Sequence, residues 1–119
     1  MAVAIHLNKK ALEQAERLIK AGEIETFDTN WAAEKPTVDE VDHYLDSHYM
    51  DEYGMWFLGV NPSVSKDVKE HYDYPYGDLK TVQRCALDDT IKRAEKAGHK
   101  DIAQVAKRLL EMVDKQSKA

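Results

Sequence analysis

A single cysteine, Cys85, stands among 119 residues, so the chain carries no intramolecular disulfide framework and no cysteine-built zinc site. No run approaches the ~18 consecutive apolar residues of a membrane-spanning helix, and no membrane is expected as a partner. The five glycines are dispersed singly, which excludes a glycine-rich phosphate loop. Repeats and low-complexity linkers are missing as well. Residues 1–7 are apolar but lack a basic leading stretch and are too short for a signal peptide. One thiol suits a reducing compartment, so a soluble cytoplasmic protein is the expectation. Positive charge is in deficit too. Seventeen Lys and Arg against 22 Asp and Glu give −5, which excludes a strongly basic nucleic-acid coat protein.

What is present suffices for a fold. The 43% apolar content is just below the globular norm, and the length suits a single domain over residues 1–119. The charge is uneven. Residues 1–22 carry +2, residues 23–54 carry −9, residues 55–77 carry −1 and residues 78–119 carry +3. An acidic block thus lies between two mildly basic ends. Such a block steers a basic partner or is simply a solvated face, the plainer of the two readings.

Asn8 is placed to cap a helix over residues 9–21, where Leu12, Ala15, Leu18 and Ile19 keep helical spacing and Gly22 supplies a left-handed end. Residues 24–27 read as a short strand or extended loop, with Trp31 and Pro36 in the next connection. Thr37-Val-Asp-Glu40 is a capping box. It opens a helix over residues 38–49 with Val38, Val41 and Leu45 on one stripe, Tyr44 and His48 beside it, and Asp39, Asp42, His43 and Asp46 on the other side. Residues 55–60 (Met-Trp-Phe-Leu-Gly-Val) read as a buried strand, and residues 66–74 as a second one able to pair with it.

In Tyr74-Pro-Tyr-Gly-Asp78, Pro75 pushes Tyr74 to an extended conformation, Gly77 tolerates positive φ, and Asp78 caps the next helix. That helix spans residues 79–97 with Leu79, Val82, Ala86, Leu87, Ile91 and Ala94 inward, and Gly98 ends it. Asp101 then caps a last helix over residues 101–115, packed back as an antiparallel hairpin, with a fraying tail. The expected class is mainly α, open to α+β through a small two-stranded element within residues 55–74.

Several constellations could carry chemistry. Eight of the ten aromatics lie between residues 44 and 76, suited to a core or to a contact surface. Base stacking there would need a basic groove, and the neighbouring block is acidic. Asp39, Asp42, His43 and Asp46 have helical spacing but no matching set elsewhere, so no metal is assigned. Amides after the 74–78 turn, with Lys80 and Arg84, could hold a small anion, although Asp78 competes for them. Cys85 lies mid-helix without a local activator and reads as an inert core thiol. Residues 90–109 align partly with a DNA-reading helix-turn-helix, with Ala94 and Gly98 in place. Arg93, Gln104 and Lys107, however, fall where aliphatics are required.

Residues 55–60, Lys69-Glu-His-Tyr-Asp-Tyr-Pro-Tyr-Gly-Asp78 and Val82-Gln-Arg-Cys85 carry a resemblance. With Asn8-Lys-Lys10 and the acidic middle, the chain resembles a family of small uncharacterised bacterial proteins that share the Tyr-Pro-Tyr-Gly-Asp turn before a closing helix pair. The resemblance implies that the turn and the two helices form a unit. It implies no activity, ligand or catalytic residue.

The preferred expectation is a protein-interaction module, with Tyr44, Tyr49, Tyr53 and Trp56 as anchors and Asp39, Asp42 and Asp46 steering a basic partner, a second copy included. The first alternative is weak nucleic-acid binding through Lys92, Arg93, Lys96, Lys100, Lys107 and Arg108. The second is a small-ligand protein or enzyme with a site near the turn, drawn from His71, Tyr74, Tyr76, Lys80, Arg84 and Cys85. No catalytic residue and no cofactor is nominated, and the reading leans against an enzyme.

Overall fold

In the computed structural model, which describes residues 4–118, the chain begins with β1 (His6–Leu7), α1 (Lys9–Lys20), β2 (Ile24–Glu25), α2 (Trp31–Glu34), α3 (Val38–Ser47) and α4 (Met50–Gly54). It continues with β3 (Phe57–Val60), a 3-10 turn (Lys69–His71), β4 (Tyr72–Pro75), β5 (Val82–Gln83), α5 (Arg84–Ala97) and α6 (Lys100–Lys118). The fold is mainly helical with some β. β3 is the centre of an antiparallel sheet of order β1-β3-β4, and β2 and β5 form a parallel pair.

The core arises from helical spacing. Ala11, Ala15 and Ile19 form the buried stripe of α1. α1 packs on α6, which offers Ile102, Ala103, Ala106, Leu109 and Val113. α5 adds Leu87, Ile91 and Ala94, and the sheet closes the layer with Leu58 and Tyr74. Gly98 turns α5 into α6 with φ 81°, a left-handed cap that any side chain would strain. One buried cluster therefore joins Ala11 near the start to Val113 near the end. Val105 and Met112 only flank it.

Several local expectations are corrected. The helix expected from residue 79 starts at Arg84. Leu79 has φ 71°, outside the helical region, and Val82 and Gln83 pair with Ile24 and Glu25 as strands. The helix expected to reach residue 49 stops at Ser47. His48 and Tyr49 are extended, and α4 restarts with the Glu52 carboxylate accepting from the Tyr49 N–H at 3.0 Å. Trp31, expected in a connection, opens α2. The second strand is confined to Tyr72–Pro75, and β1 makes the sheet three-stranded. α6 opens at Lys100 and runs on to Lys118 instead of fraying from residue 115. Asn8 does not cap α1 with its side chain. Its amide donates to the carbonyls of Gly54 and Phe57, both at 3.1 Å, and so fastens α1 to the sheet.

The 74–78 turn also differs from expectation. Tyr74 is not extended but left-handed, φ 64°, despite the proline after it. Gly77 does not need positive φ. It needs space, because a Cβ there would strike the Thr81 carbonyl oxygen and lie 2.8 Å from the Trp56 ring. The start of the chain, residues 1–3, lies outside the described residues. No helix among the described residues is long and apolar enough to cross a membrane.

Candidate functional site

α3 is secured by its ends rather than by burial. Thr37 Oγ1 accepts from the Glu40 N–H and Glu40 Oε1 accepts from the Thr37 N–H, each at 3.1 Å. Asp39 and Glu40 in the first turn favour the positive end of the helix dipole. No residue of α3 is buried, and Val38, expected on its inner stripe, is 72% exposed. Beneath the helix is a cavity of about 150 Å³ lined by Trp31, Pro36, Val41, Tyr53, Phe57 and Leu79.

Against its outer side lies a groove of about 550 Å³. Asp39, Glu40, His43, Tyr44, Ser47 and His48 form one wall, and Asp78, Leu79 and Lys80 form the other. Tyr44 and His48 stack with ring centroids 3.9 Å apart and planes 3° from parallel. The His48 Nδ1–H donates to the Tyr44 carbonyl at 2.9 Å, which locks the two rings together. The same two residues and Leu79 border a second hollow, about 440 Å³, reaching Gln14, Arg17 and Trp56.

The opposite wall is rigid for a local reason. Asp78 Oδ1 accepts from the Lys80 N–H (3.1 Å), the Thr81 N–H (2.8 Å) and the Thr81 hydroxyl (3.1 Å), while Oδ2 accepts from Gln83 Nε2 (3.1 Å). The amides considered for an anion are therefore occupied by Asp78 itself. These bonds hold Leu79 in the left-handed region, at a cost of roughly 1–2 kcal/mol for a residue with a Cβ, and place its half-buried side chain where the groove and both hollows meet.

Of the acidic candidates, Asp39 lines the groove. Asp42 points away, to Lys69 at 3.2 Å, and Asp46 is exposed outside it. Among the aromatic candidates only Tyr44 stands in the groove. Tyr49 is 81% exposed beyond it. Tyr53 and Trp56, expected as anchors, are core residues. Trp56 stacks on Tyr76 at 5.4 Å, and Tyr53 packs on Phe57 at 4.8 Å. Sequence reasoning misses Glu40, His43, His48 and Leu79 as groove residues. In the sequence Glu40 is visible only as a cap, His48 only as a position beside the apolar stripe, and His43 only within the acidic set weighed for a metal.

The ligand candidates are scattered. His71 Nδ1 bonds the Val64 carbonyl at 2.7 Å. Tyr76 is buried, donates to the Met55 carbonyl at 2.8 Å and accepts from Gln14; burial pushes its hydroxyl far above the usual tyrosine range. Lys80 joins the α3 groove. Arg84 grips Asp114 through two bonds of 2.8 and 3.3 Å. Cys85 lies in a small cluster with Trp31 and Ala86. Burial, and secondarily the Glu34 charge, raises its thiol.

The basic candidates are largely spent on carboxylates: Lys92 on Asp88, Arg93 on Asp73, Lys107 on Glu95 and Arg108 on Glu16. Lys96 and Lys100 make no ion pair among the described residues. Among those residues, too, no three His, Cys, Asp or Glu side chains are grouped to hold a metal ion.

One pairing crosses the two sets of candidates. The Tyr74 hydroxyl meets His99 Nδ1 at 2.6 Å, and the Arg93 guanidinium lies 5.0 Å from the Tyr74 ring centroid. Asp73 Oδ1 accepts from both the Tyr74 N–H (2.7 Å) and Arg93 Nη2 (2.9 Å). The left-handed Tyr74 is thus held by a linked set of contacts, to His99, Arg93 and Asp73, beside an open cavity of about 740 Å³. No family model, curated protein or solved structure matches the chain.

Proposed function

We propose that the chain is a cytoplasmic protein-interaction module whose α3 groove takes a Lys- and Arg-bearing segment of a partner protein. The observation that carries this reading is the groove itself: an acidic wall of Asp39 and Glu40 beside a stacked Tyr44–His48 pair, on and just after a helix none of whose residues is buried. A partner's cations would be drawn by the −9 block and oriented by Asp39 and Glu40. An apolar side chain of the partner would lie against Tyr44 and Leu79, where an aromatic anchor contributes most. The carboxylate pairing of four cations on α5 and α6 favours this reading over nucleic acid, which needs free cations for the phosphate backbone.

The test is a fluorescence-anisotropy titration with a basic peptide of Lys, Arg and Leu, run beside a counterpart with Glu in place of each Lys and Arg. Salt-sensitive binding of the basic peptide alone, lost in Asp39→Asn with Glu40→Gln, supports the reading. No binding, or equal binding of both peptides, overturns it.

A further inference from the structure

The cavity beside Tyr74 differs from the α3 groove in chemistry as well as in residues. Its volume, about 740 Å³, is in the range of small-molecule sites, roughly 300–1,000 Å³. Ile5, Tyr72 and Ala97 give it apolar lining. Its inner charges satisfy one another: Asp73 holds Arg93, Arg93 covers the Tyr74 ring, and the Tyr74 hydroxyl is bonded to His99.

Its outer charges do not. Glu70, from the 3-10 turn, and Lys96, from α5, both line the cavity, and neither makes an ion pair with the other or with any other side chain among the described residues. Two unmatched charges of opposite sign, carried by different elements on an apolar hollow, complement a ligand that is itself bipolar. A doubly charged anion would meet Glu70 and Asp73, and a simple cation would meet Lys96 and Arg93. We propose that this cavity binds a small zwitterion of the free amino-acid class, its ammonium toward Glu70, its carboxylate toward Lys96 and its side chain on Tyr72 and Ala97.

The proposal is tested by calorimetry and by amide shifts with leucine as the ligand, beside N-acetylleucine, which lacks the ammonium, and leucinamide, which lacks the carboxylate. Leucine should bind saturably, shift the amides of Tyr72, Lys96 and His99, and bind about tenfold tighter than either analogue, the effect of one charge-assisted contact. Glu70→Gln should abolish the preference over N-acetylleucine, and Lys96→Met the preference over leucinamide. Both residues are exposed, so the fold is retained. No saturable binding of leucine, or analogues binding as tightly as leucine, would overturn the proposal. The α3 groove shares no residue with this cavity, so peptide binding there should be unaffected by either variant and the two sites fail or succeed separately.

Discussion

Tyr44 and His48 stack face to face at 3.9 Å while the His48 ring nitrogen is bonded to the Tyr44 carbonyl, so the end of α3 and the residue after it present a single flat, preorganised surface to the groove. Preorganisation reduces the entropy lost on binding, which is why an anchor of this kind outweighs its area. Tyr44→Ala should weaken basic-peptide binding by about 2 kcal/mol, roughly 30-fold. Tyr44→Phe keeps the ring and should retain most of the affinity. Circular dichroism should be unchanged in both, since no residue of α3 is buried.

Gly77 faces the Thr81 carbonyl and the Trp56 ring with no room for a methyl group. The carbonyl is held by the Asp78 N–H at 3.2 Å, and Trp56 is pinned against Tyr76, so neither yields freely. Gly77→Ala should cost about 1–3 kcal/mol. The shift in urea midpoint at constant slope measures it, and a neutral result would show that the turn relaxes.

Local spacing accounts for the features that are legible in the sequence. The Thr37–Glu40 box, the Gly98 cap and the closing hairpin depend on neighbours within a few positions, and all three are found where residue types place them. Asn8 eludes a local reading because its partners, Gly54 and Phe57, are more than forty positions away. Leu79, Val82 and Ala86 have helical spacing by coincidence; the Asp78 carboxylate, bonded to the Lys80 and Thr81 amides, forms a turn instead of a cap. Two-residue strands such as β1 and β5 are too short to show any period. For the site, the acidic wall is visible because it lies on one helix. Leu79 and Lys80, the facing wall, arrive only through tertiary folding. Exposure of aromatics is equally illegible: Tyr49 and Tyr53 are four positions apart, yet one is exposed and the other is core.

Cys85 should be a slow thiol. Burial disfavours its charged form, and the Glu34 carboxylate adds to the effect, so little thiolate exists near neutral pH. A thiol reagent should label the native protein far more slowly than the urea-unfolded chain. Equal rates would place Cys85 at the surface and reopen it as a reactive group.

Arg84 and Asp114 join the start of α5 to the end of α6, and the guanidinium hydrogen bonds hold the Asp114 carboxyl below its ordinary range. A carboxyl lowered in the folded state adds stability above its unfolded pKa, about 3.9, and that contribution is lost as pH falls through the lower folded value. Both side chains are about 40% exposed, so solvent limits the pair to under about 1 kcal/mol. Asp114→Asn should therefore lose that amount at neutral pH and nothing once the wild-type carboxyl is protonated. Urea unfolding of both proteins from neutral to strongly acid pH should show the two stability curves converging, and a constant gap would assign the loss to packing rather than to charge.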